Sequence, residues 1–292
     1  MKKYWVGVFF LLLSMCVSCM NDIICKFMGQ RLDSFEIIFF RFFFGFITLL
    51  PFVFRDGLSI FKTNQLSINV IRGIFGAFSF FLCTYSVIKL PLVEVTTILW
   101  VIPLFQLVLS SIFLSERVFA LRWIATLVGF IGLSFVTLYN SGSSISLNPL
   151  YIFPVGAALL FATQDIMIKK VVATEGRITM LLYFALIAST VSFVPMCFVW
   201  NTPTAHELAM LFLLGIGGNL IQYFIFKAFN ATDVSALAPY RYIEFILSAC
   251  FAFVFFREIP GLNVIIGAAI LVPCTLFLAY NEQRKESKAQ AN

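Results

Sequence analysis

Asn21-Asp22-Ile23-Ile24-Cys25-Lys26 and, 143 residues later, Gln164-Asp165-Ile166-Met167-Ile168-Lys169 decide how this chain is built. Each sets an amide, a carboxylate and an ammonium at the same spacing inside an apolar run. Two further pairs keep nearly that offset: Gly73-Ile74-x-Gly76 matches Gly215-Ile216-x-Gly218, and Glu116 matches Glu258, both 142 residues on. Concordant offsets of this kind mark an internal duplication, a weak symmetry common among membrane carriers.

Around these stretches the chain is apolar. Of its 292 residues 61% are hydrophobic and 12% charged, against about 45–50% and about 25% in soluble domains. A water-soluble fold is excluded. Ten segments fit the roughly 20 residues a helix needs to cross a bilayer: 5–27, 35–54, 70–88, 93–114, 121–139, 150–169, 179–199, 208–228, 236–256 and 262–280. Turn-rich breaks such as Arg55-Asp56-Gly57 and Asn201-Thr202-Pro203-Thr204 separate them, and no length remains for an extramembrane catalytic domain. Residues 1–145 are expected to form a first five-helix repeat, 146–280 a second, and 281–292 a tail. Five spans is an odd number, so the second copy must lie upside down relative to the first. The expectation is an all-α integral membrane protein of ten transmembrane helices in two inverted five-helix repeats.

The formal charge of +6 comes from basic residues scattered singly between apolar runs, with no dense basic face for nucleic acid. Fourteen of the 20 basic residues, Arg72 and Lys169 among them, fall on one side when the N-terminus is cytoplasmic. The positive-inside rule therefore predicts both termini in the cytoplasm. All seven cysteines lie in apolar spans without paired spacing or histidine neighbours, which argues against a disulfide framework, a metal site or any cofactor. Lys2-Lys3 and the run to Met20 imitate a signal peptide, but the apolar pattern resumes through Ile23, Ile24 and Phe27, so an uncleaved first span is expected.

Pro103, followed by Phe113-Leu114-Ser115-Glu116-Arg117, and Phe255-Phe256-Arg257-Glu258, preceding Gly267-Ala268-Ala269-Ile270-Leu271, carry a resemblance over essentially the whole chain. The pattern resembles the drug/metabolite transporter superfamily, specifically its ten-span EamA-type carriers, although Ser115 and Arg257 stand where those signatures have glycine. The resemblance implies two five-span units and a carrier activity, and the family includes metabolite exporters as well as uptake carriers. Arg41-Phe42-Phe43-Phe44-Gly45-Phe46, with Asp22, also resembles the S-adenosylmethionine uptake carriers of obligate intracellular bacteria.

An ionisable side chain at the centre of a lipid-facing helix costs about 2.5–3.5 kcal/mol even on the lenient insertion scale, so each deep one needs a partner or a wet cavity. The deepest are Asp22, Arg41, Asp165, Arg241 and Glu244, with Glu94 near a span end. Asp22, Arg41, Arg241 and Glu244, with an aromatic lining of Trp100, Tyr223 and Tyr242, are the candidate substrate site; Asp165 and Glu94 are candidates for coupling or gating. Two alternatives stay open. Asp22 and Asp165 each precede a lysine by four residues and could pair with it on one helix face, and Arg241 and Glu244, three apart, could pair with each other rather than clamp a solute.

The predicted function is secondary active transport of a small polar metabolite by alternating access, an amphoteric solute such as S-adenosylmethionine fitting the mixed charges best. An amino-acid or metabolite exporter is the alternative. No phosphate-binding loop for ATP occurs, and an intramembrane enzyme would need a nucleophile and base or a metal set that the spans do not show. The expected partners are the solute and membrane lipids, with a homodimer left open.

Overall fold

The computed structural model describes residues 2–90, 92–141 and 149–256, together with Ala269, Pro273 and Tyr280. The predicted tenth span, with Arg257 and Glu258, lies outside the described residues, as do the side chains of Lys26 and Glu94. Helices α1 (Lys2–Met28), α2 (Ser34–Asp56), α3 (Leu66–Lys89), α4 (Leu92–Leu99), α5 (Ile102–Phe113) and α6 (Ala120–Ser141) make the first half. The second contains α7 (Ile152–Val171), α8 (Arg177–Met196), α9 (Ala205–Ala231), α10 (Val234–Leu237) and α11 (Ile243–Phe256). The described residues contain no strand. Six helices are long and apolar enough to cross a membrane, and shorter apolar stretches run over Thr97–Phe113 and Ala120–Ser134.

Local chemistry sets the helix ends. Asp33 accepts from Phe35 N at 2.8 Å to start α2. Thr204 and Glu207 form a reciprocal capping box at the start of α9, which satisfies two of the backbone N–H groups that a helix leaves open.

Two predicted spans are not continuous helices. The fourth breaks between Leu99 and Ile102, where Trp100 and Val101 form a turn ahead of Pro103, whose ring fixes φ and lacks a backbone donor. The ninth starts as α10, tightens into a 3₁₀ turn over Ala238–Tyr242 around Pro239, and resumes as α11. Trp100 and Tyr242, 142 residues apart like the repeat motifs, therefore occupy corresponding breaks. Interrupted helices free backbone groups and are tolerated at membrane depth where they are buried in protein or line a cavity.

The halves interleave. α1 packs along α9, α7 along α3, and α2 along both α8 and α9. Glycines permit the closest approach: a Cβ on Gly215 would sit 2.7 Å from Gly45 N, so α2 and α9 meet backbone to backbone. Ser115, in the glycine position of the family signature, has φ 55°, the left-handed region that glycine enters without penalty.

Candidate functional site

The breaks and the deep charges come together. Leu99, Trp100, Ile102, Pro103, Arg241 and Glu244 line a cavity of about 220 Å³. A second, of about 80 Å³, reaches Arg241 and Glu244 from α1 and α9, past Ser14, Ser18 and Ile221. Arg241 Nη2 lies 2.7 Å from Asp165 Oδ2, and Gln106 Nε2 donates to that same oxygen at 2.6 Å. Glu244 is within hydrogen-bonding reach of Ser18.

Asp165 thus pairs with Arg241, not with Lys169. Lys169 Nζ instead donates to the carbonyls of Phe229 and Thr232, at 2.6 and 2.7 Å, where α9 ends. That geometry overturns the i,i+4 pairing for the second repeat: a lysine on a four-carbon stem meets unpaired carbonyls at a helix C-terminus, an attractive place for a cation. Arg241 likewise does not pair with Glu244, because it crosses between helices to a carboxylate deeper in the bundle.

Arg41 lies on the other flank. It shares a small cavity of about 30 Å³ with Phe42, Phe80, Phe184, Asn219 and Gln222, its guanidinium carbon 5.0 Å from the Phe80 ring centroid. Asp22 is within electrostatic range of both Arg41 and Glu244. Asn219 is committed to Gly45 O at 2.7 Å and Thr48 Oγ1 at 2.9 Å.

The aromatic candidates divide. Trp100 faces the 220 Å³ cavity, and its indole N–H has no partner among the described residues. Tyr242 lies behind it, 1% exposed, and donates to the Trp100 carbonyl at 3.2 Å, bracing the break. Tyr223 is elsewhere, on a cavity of about 350 Å³ with Thr48, Phe52, Ile178 and Leu181. That cavity is the roomiest of these, yet no charged side chain lines it, so the chemistry sits with the smaller ones.

Contacts between the halves close both ends of the bundle. At one end Arg31 forms an ion pair with Glu207, whose hydrogen bonds hold the guanidinium above its ordinary pKa, and Glu36 accepts from Asn201 N at 3.2 Å. At the other, Glu116 accepts from Val234 N and Ser235 N at 3.1 and 3.0 Å, capping α10, while Arg122 reaches Ser235 at 2.7 Å and Asp233 at 3.6 Å. Sequence reasoning singled out Glu116 only as a motif letter. Its latching role depends on α10, 118 residues away, which no local pattern indicates. Arg72, counted in the sequence among the basic residues of the cytoplasmic side, is wholly buried in α3.

Residues 5–138 and 148–280 each match the EamA-like transporter family. The chain belongs to that family. It is 42% identical over 288 residues to an S-adenosylmethionine uptake transporter of Rickettsia felis, covering 99% of this chain and 97% of the relative. The corresponding transporter of Rickettsia prowazekii is 40% identical, covering 98% of this chain and 97% of that one. A solved crystal structure superposes with a TM-score of 0.79 over 97% of this chain and 98% of its own length at 17% identity, a likeness of fold alone. This EamA-family chain is accordingly a multi-pass membrane transporter of a small solute, not an enzyme.

Proposed function

We propose that the chain is a secondary carrier that takes up S-adenosylmethionine across the bacterial inner membrane by alternating access. The observation that carries this reading is near full-length identity of 40–42% to S-adenosylmethionine uptake transporters. In this proposal ten spans form two inverted repeats, 1–145 and 146–280, with both termini and the 281–292 tail in the cytoplasm. The charge balance of the site supports it. Two arginines, Arg41 and Arg241, meet three carboxylates, Asp22, Asp165 and Glu244, a sum of −1 if all are ionised. S-adenosylmethionine, with sulfonium, ammonium and carboxylate groups, carries +1 and would neutralise the site.

Arg241 already has Asp165 as its counter-ion, so Arg41 is the cation assigned to the solute carboxylate, with Asp22 and Glu244 facing its ammonium and sulfonium. Trp100, which lines the cavity, is the ring assigned to the adenine. Stacking of a base on an aromatic side chain contributes about 1–3 kcal/mol. Asp165 and Glu94 remain assigned to coupling or gating.

Purified protein in liposomes should show saturable S-adenosylmethionine uptake and counterflow, abolished by Arg41→Glu with membrane insertion intact. Absence of uptake by correctly inserted wild-type protein refutes the assignment.

A further inference from the structure

α3 carries a cation that the central site leaves unused. Arg72 has 0% exposure and lies about 9 Å in from the start of its helix, by the rise per residue. One terminal nitrogen donates to the Met180 carbonyl of α8. The guanidinium carbon lies 5.1 Å from the ring centroids of both Phe184 and Phe226. Its other two nitrogens have no hydrogen-bond partner among the described residues, and no described carboxylate forms an ion pair with it. A buried charge without a counter-ion is strongly unfavourable, and an apolar side chain of similar volume would fill the same slot at lower cost. Packing alone therefore does not account for an arginine here.

Phe184 connects this residue to the site. Its ring lines the cavity that Arg41 also lines and lies under the Arg72 guanidinium, so one aromatic ring borders both the cavity and Arg72. It packs against bare backbone, since a Cβ on Gly76 would come within 2.8 Å of Phe184 Cζ. By the repeat offset of 143, Phe184 is the counterpart of Arg41 itself. Met180 and Phe226 place Arg72 toward the end where α8 begins and α9 finishes, which is the cytoplasmic end in the orientation proposed above.

We propose that Arg72 is a second carboxylate subsite on the transport path. The α-carboxylate of the solute leaves Arg41 and pairs with Arg72 when the Phe184 ring swings aside, before release to the cytoplasm. This inference rests on the uptake of an amino-acid-like sulfonium solute proposed above. It assigns to Arg72 an anionic partner that arrives only in the loaded, inward-opening state.

The test compares uptake of S-adenosylmethionine with that of its decarboxylated analogue, which keeps the sulfonium and ammonium but lacks the carboxylate, in liposomes containing wild type, Arg72→Gln or Arg72→Met. Losing a charge-assisted hydrogen bond should slow uptake of the carboxylated solute about tenfold to a hundredfold and leave the analogue's rate unchanged. Arg72→Met should unfold at the same or a higher temperature than wild type, because it removes an unpaired buried charge. Equal losses for both solutes, an unaltered ratio, or an Arg72→Met protein of lower thermal stability would show a structural brace and overturn the subsite. Wild-type protein moving neither solute overturns the assigned solute and the subsite with it. Wild-type uptake with an unaltered ratio in the variants overturns the subsite alone.

Discussion

The Asp165–Arg241 pair gives the sharpest energetic prediction. Asp165 is 8% exposed at the side chain and Arg241 22%, with 2.7 Å between them, and Gln106 donates to the same carboxylate oxygen at 2.6 Å. Truncating one partner of a buried pair costs about 3–5 kcal/mol, because the other charge stays behind uncompensated. Removing both leaves only the Gln106 amide without its acceptor, about 1–3 kcal/mol. Asp165→Ala and Arg241→Ala should therefore each destabilise more than Asp165→Ala/Arg241→Ala does. Because Arg241 keeps some exposure, screening places the expected coupling toward the low end of the roughly 3–9 kcal/mol that these costs give, at about 3–4 kcal/mol. The assay is a double-mutant cycle on purified protein, reading unfolding equilibria by tryptophan fluorescence in mixed micelles, with solute uptake measured in parallel. All three variants should lose uptake, since Arg241 lines the cavity. Additive destabilisation, with coupling below about 0.5 kcal/mol, would refute the idea that the two side chains act as one neutralised unit.

Other outcomes follow from individual contacts. Ser115→Gly should stabilise the protein by about 0.5–1 kcal/mol, because relief of the left-handed backbone at φ 55° exceeds the added chain entropy of glycine; a lower unfolding temperature refutes that account. Gly215→Val places a side chain where Gly45 N lies 2.7 Å from the Cβ position. It should destabilise by at least about 1–3 kcal/mol, seen as loss of monodisperse protein on size exclusion. Glu207→Gln removes an ion pair whose arginine is 42% exposed, so the unfolding temperature should barely change, as expected for a solvent-screened pair. A larger effect on unfolding would mean that this end is held together mainly by that contact. Trp100→Leu should raise the KM for the solute, whereas Tyr223→Leu, on the uncharged cavity, should leave it within about twofold; the reverse order would move the site.

The helical class and the membrane setting were legible in composition and in runs of about 20 apolar residues. Most helix limits were also close, because caps and turns are local. The breaks at Trp100 and Tyr242 were only half legible: a proline stands at each, Pro103 and Pro239, yet a proline also reads as part of a continuous span. The list of deep charges left out Arg72, which is fully buried, and was silent about partners. Lys169 illustrates the reason. Four residues from Asp165 it looks paired, yet the carbonyls at the end of α9 hold it, and their position is set by helices far away in the chain.

The sequence alone determined a membrane-embedded helical chain with duplicated motifs and a short set of intramembrane charges, because hydropathy, helix length and repeat spacing are properties of the chain itself. Tertiary structure decided which charges meet. Asp165 joins Arg241 and Gln106, Glu116 caps α10, and Arg72 lies buried between two phenylalanines with donors to spare. In a low-dielectric interior a charge is stabilised by the few groups within hydrogen-bonding distance, and those come from helices whose packing no single segment encodes.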